Sequence, residues 1–344
     1  MASMKVTVDD VGSFPLPPAV DRKTFEKVYV LAREAASKGE DLRKNSFLAD
    51  FCQIVTDSFR LKCSTGLDVV NYPQHYDMHK QFAEVIHKAM DSGTYIVAEK
   101  DAVIPEVQLI SSEAKSLCEE LGSPLRLRVC ITGPLELYLW EIGKIGFKNV
   151  LFMFAETVRR FARNSVLNSK YVRTEVVSLD EPSFGFQEVS ADNDLVVEVF
   201  EKAFDFSGVV KQIHLHSPAR ASDLLKVGNL DVLSFEYAAS PKNLGSITKK
   251  ALEEADKSLR VGVARTDVDA VRAELYDKGV AEPSADQLVE SEKIIQKRFV
   301  QVKEIYGERL SFTGPDCGLG GWPTQESAFL LLKRTVNAIR ALEG

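Results

Sequence analysis

The 344 residues, 45% of them hydrophobic, suffice for one large α/β unit or two smaller domains. Lys and Arg number 43 against 50 Asp and Glu, a net charge of −7 at pH 7, and the two signs are interspersed, so the chain has no basic footprint for nucleic acid. No apolar run approaches the roughly 18 residues of a membrane span, and Met1 to Val8 is too short and too charged for a secretory leader, which points to the cytoplasm.

In chain order, Lys5 to Val8 reads as a first strand, and the turn-rich stretch from Val11 to Pro17 cannot be helix. Helical patterns follow over Arg22 to Ser37 and Leu42 to Lys62, the second ending at Gly66. Leu67 to Val70 is a continuous apolar strand that runs into Asn71-Tyr72-Pro73-Gln74. Tyr76 to Met90 is helical, Tyr95 to Ala98 a short extra strand, and Glu106 to Leu121 helical again. Leu125 to Ile131 is a strand closed by Thr132-Gly133-Pro134 and a helix bearing Trp140, after which a long helix spans Val150 to Lys170.

The second half repeats the rhythm. Strands Val176 to Leu179, Val209 to Ile213, Asp231 to Phe235, Leu259 to Val263 and Arg309 to Phe312 alternate with helices Leu195 to Phe204, Ala221 to Val227 and Ala285 to Tyr306, and Gln325 to Leu342 closes the chain. Continuous apolar strands separated by helices mean a parallel sheet covered on both faces. Eight such units predict a single (β/α)8 TIM barrel with residues 1–344 as one domain and the active site at the strand C-terminal ends.

Those ends carry the chemistry. Ile213-His214-Leu215-His216, Ser234-Phe235-Glu236 and Gly314-Pro315-Asp316-Cys317-Gly318 each follow directly on a strand, and residues i and i+2 share a face, which aims His214 and His216 into one site. Imidazole, carboxylate and thiolate together are the ligand set of a tetrahedral zinc. Without a C-x-x-C spacing, the reading of each as an ordinary half-buried polar residue stays open. The cysteines, Cys52, Cys63, Cys118, Cys130 and Cys317, are odd in number and widely spread, which fits a reducing compartment; only Cys317 lies in a glycine-flanked loop. His75 and His79, four apart, read as a solvated helix face, and His87 as a residue with no partner. Gly314 to Gly321 lacks the spacing of a nucleotide loop.

Five motifs in order, Val11-Gly-Ser-Phe-Pro15, Thr132-Gly-Pro134 followed by Trp140, Leu179-Asp-Glu-Pro182, Gly314-Pro-Asp-Cys-Gly-Leu319 and Gly321-Trp-Pro323, span nearly the whole chain. In them the sequence resembles the C-terminal catalytic barrel of cobalamin-independent methionine synthase, in the short single-barrel form, within the superfamily shared with uroporphyrinogen decarboxylase. The resemblance implies a zinc-dependent methyltransferase that activates a thiol, homocysteine giving methionine, for attack on a methyl donor, either methyltetrahydrofolate or methylcobalamin on a corrinoid protein. Alkyl transfer to another thiol such as coenzyme M, or a barrel that keeps the zinc without catalysis, are the alternatives.

Position by position, the resemblance makes Glu236 and Cys317 zinc ligands, with His214 on the family's His and His216 in place of its usual Cys. The other register sets His216 on the His and Pro218 on the Cys, with one protein ligand missing; the first is preferred because a His-x-His pair keeps the i, i+2 geometry. It also assigns Ser13 to the substrate carboxylate, Asp180 to its amino group and Trp140 to stacking on a folate ring, the alternative for Trp140 being core filler. Where the family places a second acidic residue, Gln74 stands, which puts the ammonium end of the acceptor in doubt. Arg265 and Asp267 replace an Asp and a His, so no catalytic proton donor is transferred.

Overall fold

The computed structural model describes residues 5–144, 146–185 and 192–343. Among them, eight strands alternate with helices: β1 Thr7–Val8, β2 Val70–Asn71, β3 Leu125–Thr132, β4 Val172–Asp180, β5 Val210–Leu215, β6 Val232–Phe235, β7 Ser258–Ala264 and β8 Leu310–Pro315. All neighbours pair in parallel, in the order β1-β8-β7-β6-β5-β4-β3-β2. The sheet therefore curls around an axis. Its two edge strands are not joined by a ladder; the isolated bridges Asp9–Val69 and Ser13–Gln74, with Asp68 N donating to Val8 O, span the seam. The barrel expectation holds as an α/β fold with an eight-stranded parallel curled sheet that stops short of a closed ladder.

The interior shows why alternation matters. Val69, Val176, Val232 and Phe312 pack on one another from alternate positions around the sheet, a layer of the kind that fills such barrels. Arg128, Gln212 and Arg260 from β3, β5 and β7, with Asp9 just after β1, are fully buried. Asp9 accepts from Arg128 Nη1 and from Arg260 Nε, both at 2.6 Å. Two residues beyond Val176, Gln212 and Val232 on their strands come Ser178, His214 and Ser234, and two further again Asp180, His216 and Glu236. The strand period of two thus delivers the polar residues to the mouth.

Several expected boundaries move, for local reasons. Tyr95 to Ala98 is not a strand: Thr157, on the helix Lys148–Asn164, accepts from Val97 N and donates to Tyr95 O, so the segment finds a side chain instead of a neighbouring strand. The helix expected from Leu42 begins at Ala49, because Asp41 and Asn45 each cap a short 3-10 turn first. The helix expected from Tyr76 begins at Lys80, where Asp77 Oδ1 accepts from His79 N and Lys80 N. Lys148–Asn164 ends before Lys170, since the chain turns back and Thr174 donates to Ser165 O. Ala285 to Tyr306 is two helices, Ala285–Leu288 and Glu292–Tyr306, parted beside Glu290, whose carboxylate takes both terminal nitrogens of Arg298. Two further helices, Lys249–Glu254 and Val268–Asp277, fill the units after β6 and β7.

Candidate functional site

Strands β5, β6 and β8 end at the mouth of the sheet, with β7 between the last two, and the four residues that follow the inward period or the next turn converge there. One ligand atom from each of His214, His216, Glu236 and Cys317 lies within 4.8 Å of all the others. His216 Nε2 is 3.5 Å from Cys317 Sγ and 3.5 Å from Glu236 Oε1. Ligand atoms around a tetrahedral zinc stand about 3.3 to 3.8 Å apart, given metal bonds of about 2.0 to 2.3 Å. The spacing suits such an ion.

Contacts behind the cluster fix the His214 ring and the backbone that carries the other three residues. His214 Nδ1 meets Ser234 Oγ at 3.1 Å, and Arg260 Nη1 reaches the same oxygen at 3.5 Å. His214 Nε2 is buried with no protein partner among the described residues; with the Nδ1 proton donated to Ser234 Oγ, it would present a lone pair to the cluster. Asn243 Nδ2 donates to the backbone oxygens of both His216 and Glu236, tying the ends of β5 and β6 together. Asp316 accepts from the backbone nitrogens of Tyr237, Ala238 and Ala239 and so clamps the loop after Glu236 to the turn that carries Cys317. The sequence reading missed Ser234, Asn243 and Asp316 as positioning groups; for Ser234 a signal existed, since it precedes Glu236 by the strand period of two.

The electrostatics ask for a cation. Burial lowers His214 well below the usual imidazole range and lowers His216 too, so both rings are neutral and able to ligate. Burial, helped by the Asp316 carboxylate, pushes Glu236 up to about 8, and burial beside Glu236 raises the Cys317 thiol. Anionic ligands crowded in a dry site become stable once a divalent ion sits among them. A buried lone pair, a mixed nitrogen, oxygen and sulfur donor set and 3.5 Å spacings all fit zinc, better than magnesium or calcium.

Two clefts meet at this cluster. The larger, of about 600 Å³, is lined by His214, His216 and Cys317 at one end and by Ser13, Gln74 and Asp180 elsewhere. The smaller, of about 380 Å³, touches Glu236, Thr266, Asp267, Trp322 and again Cys317. Gly318 and Gly321 belong to both walls. A Cβ at Gly318 would collide with Ser13 Oγ, which accepts from Gly320 N at 3.0 Å, so the glycine loop closes directly on Ser13.

Asp180, at the end of β4, accepts from Ser178 Oγ at 3.0 Å; burial lifts it to about 7 although the Arg128 guanidinium opposes the shift. The next residue, Glu181, takes the backbone N–H groups of Leu135 and Glu136 at the start of the helix Pro134–Ile142, seated against Gly133, where any side chain would displace it. Trp140, on that helix, is 48% exposed and is therefore not core filler; its indole stacks on His79 at 5.5 Å and lies outside both cleft walls.

The other histidines differ from the sequence expectation. His75 is buried rather than solvated, with Nδ1 against Phe14 O at 2.8 Å and Nε2 against Ser58 Oγ at 3.0 Å. His79 lies before the helix and meets Glu136 at 2.8 Å, while His87 has a partner in Glu141. All three are taken up by protein contacts that no local spacing predicted. Arg265 is locked to Asp267 and Glu274.

Fold and cluster together define the class: a parallel, curled, eight-stranded α/β protein with a candidate metal centre at its strand C-terminal ends. Two solved structures are similar to it over almost their whole length. One is a B12-independent methionine synthase from Shewanella sp. W3-18-1 in complex with selenomethionine, at 13% identity, covering 98% of each chain with a TM-score of 0.61. The other is a methyltransferase from Methanosarcina mazei, at 14% identity, covering 99% of this chain and 95% of that one with a TM-score of 0.58. At these identities the likeness is one of fold. No protein-family model and no curated protein matches the sequence. No described helix is long and apolar enough to cross a membrane.

Proposed function

We propose that the chain, acting as one catalytic barrel in the cytoplasm, is a zinc-dependent methyltransferase that takes a small thiol, homocysteine, as acceptor and a methylated folate or a methylcobalamin-bearing protein as donor. The observation that carries this reading is the convergence of His214, His216, Glu236 and Cys317 at the inner end of a cleft large enough for an amino acid. A zinc held by these four, with the Glu236 carboxylate the ligand that an incoming thiol would displace, would keep that thiol deprotonated at neutral pH, and thiolate is the nucleophile such a transfer requires.

The chain's own residues do the rest. Ser234 presents His214 through Nε2, Asn243 and Asp316 fix the loops around the ligands, and Ser13, Gln74 and Asp180 offer polar groups to the body of the acceptor. In the transfer the sulfur lone pair forms the S–CH3 bond as the donor–CH3 bond breaks, its electron pair leaving with the donor. The meeting of two clefts at Cys317 supports a reaction in which acceptor and donor reach the centre from different sides. Two imidazoles in place of an imidazole and a thiolate make the centre more positive, which favours deprotonation of the thiol and lowers its nucleophilicity once bound.

Isothermal titration of the zinc-loaded protein with homocysteine, repeated in buffers of different ionisation enthalpy, tests this reading. Release of about one proton per thiol bound is expected at neutral pH. Failure to bind, or binding without proton release, would overturn it.

A further inference from the structure

Behind the cleft wall a chain of hydrogen bonds decides what Gln74 shows to a ligand. Tyr72, fully buried, has a single hydroxyl proton, and it is committed to Cys130 O at 2.9 Å. The group facing that hydroxyl oxygen at 3.4 Å must then be a donor, which fixes the Gln81 amide with Nε2 toward Tyr72. Gln81 Oε1 consequently points the other way, where it accepts from Gln74 Nε2 at 2.7 Å. Gln74 is left with its carbonyl oxygen toward the cleft it lines. Gln74 and Gln81 are 5% and 2% exposed, so water competes little with this arrangement.

We infer that Gln81 and Tyr72 are specificity-positioning residues: by locking Gln74 with its Oε1 outward, they make the cleft select a thiol whose far end is an N–H donor, an amine or ammonium, over one that ends in a sulfonate or carboxylate. The inference rests on the thiol reading above and deepens it. A glutamine is otherwise ambivalent, since a half-turn of its amide replaces an acceptor by two donors. The lock removes that choice. Asp180 lines the same cleft as a second acceptor, and the two cations that line it are engaged by protein groups, Arg22 Nη1 by His75 O and Lys80 by the Glu26 carboxylate.

The test compares two thiols of equal length, cysteamine and mercaptoethanesulfonate, binding to the zinc-loaded protein. Their dissociation constants are measured for the wild type, Gln81→Met, Tyr72→Phe, Gln74→Glu and the Gln74→Glu/Gln81→Met pair, with thermal midpoints recorded to confirm folding. Methionine keeps the volume at position 81 and removes the acceptor, so Gln81→Met is expected to lower the preference for cysteamine by about threefold to tenfold, the worth of one neutral hydrogen bond. Tyr72→Phe shifts it in the same direction by less. A carboxylate has no orientation to lock and no proton to give Gln81 Oε1, so in the Gln74→Glu background Gln81→Met should not lower the preference. An unaltered preference in both Gln81→Met and Tyr72→Phe overturns the inference, as does an equal loss with and without Gln74→Glu. If the wild type binds neither thiol with proton release, the methyltransferase reading itself fails; that outcome is separate from any change in preference.

Discussion

The half of the sheet that carries the candidate metal ligands, β5 to β8, and the half that forms the rest of the cleft, β1 to β4, are built on different principles. In the first, each functional side chain lies on the strand period or in the turn just after it, so short-range geometry brings the four ligands together. In the second, what a residue offers depends on a relay of partners outside the strand period: Gln74 is set by Gln81, Gln81 by Tyr72, and Tyr72 by Cys130, 58 residues on. That four candidate side chains follow strand ends can be read from spacing. The orientation of an amide cannot, because it is a property of a network.

The contrast is broken most directly at Cys317. Cys317→Ser should lose nearly all bound zinc on metal analysis, since a hydroxyl is a poor substitute for thiolate; zinc retained at the wild-type level would remove Cys317 from the ligand set and with it the claim that β8 supplies a ligand. Ser234→Ala leaves the four ligands in place and frees the His214 ring, so zinc affinity measured by chelator competition should fall by about 10- to 100-fold. An unchanged affinity would mean that the tautomer of His214 is set by something other than Ser234.

On the other half the effects are smaller. Gln74→Glu should strengthen homocysteine binding, because a charged hydrogen bond contributes about 1.5 to 3 kcal/mol where a neutral one gives about 1, and should weaken binding of mercaptoethanesulfonate. Titration calorimetry showing no change for either would place position 74 away from the ligand.

An effect on stability rather than on binding concerns Glu106, buried near Tyr29, which burial raises from the usual 4.5 to about 8. The folded chain holds this proton more tightly than the unfolded chain, so its contribution to stability is complete below 4.5 and is lost as pH rises through about 8. Glu106→Gln should flatten the fall in thermal midpoint across that window; an identical fall in the variant would assign the pH dependence to other groups.

Much of the architecture was legible. Eight apolar runs gave eight strands, and the helix Arg22–Ser37 falls where its pattern predicts, capped by Asp21. Helix starts moved where Asp41, Asn45 and Asp77 cap the chain locally; the other differences share one physical cause, the replacement of a local interaction by a distant one. Tyr95 to Ala98 has strand-like residues, yet Thr157 takes their hydrogen bonds. His75 has the surroundings of a surface helix in sequence, yet Phe14 and Ser58 bury it. Arg128 sits in an apolar strand where arginine looks misplaced, and its partner Asp9 lies 119 residues away. The acceptor doubt attached to Gln74 has the same origin: the missing charge is visible in the sequence, and the direction of the remaining dipole is not.

The incomplete seam between β1 and β2 has a consequence for how a ligand enters. A full ladder makes neighbouring strands open together, at the cost of every bond between them, whereas the seam is spanned by two isolated bridges, one of which joins Ser13 to Gln74 itself. Deuterium should therefore reach the amides of Asp68, Val69 and Phe14 well before those of β3 and β4, whose ladder runs from Leu125 to Thr132. Because the weakest line in the sheet runs beneath two residues of the cleft wall, the barrel can widen at its ligand-binding edge while the strands that hold His214, Glu236 and Cys317 stay zipped.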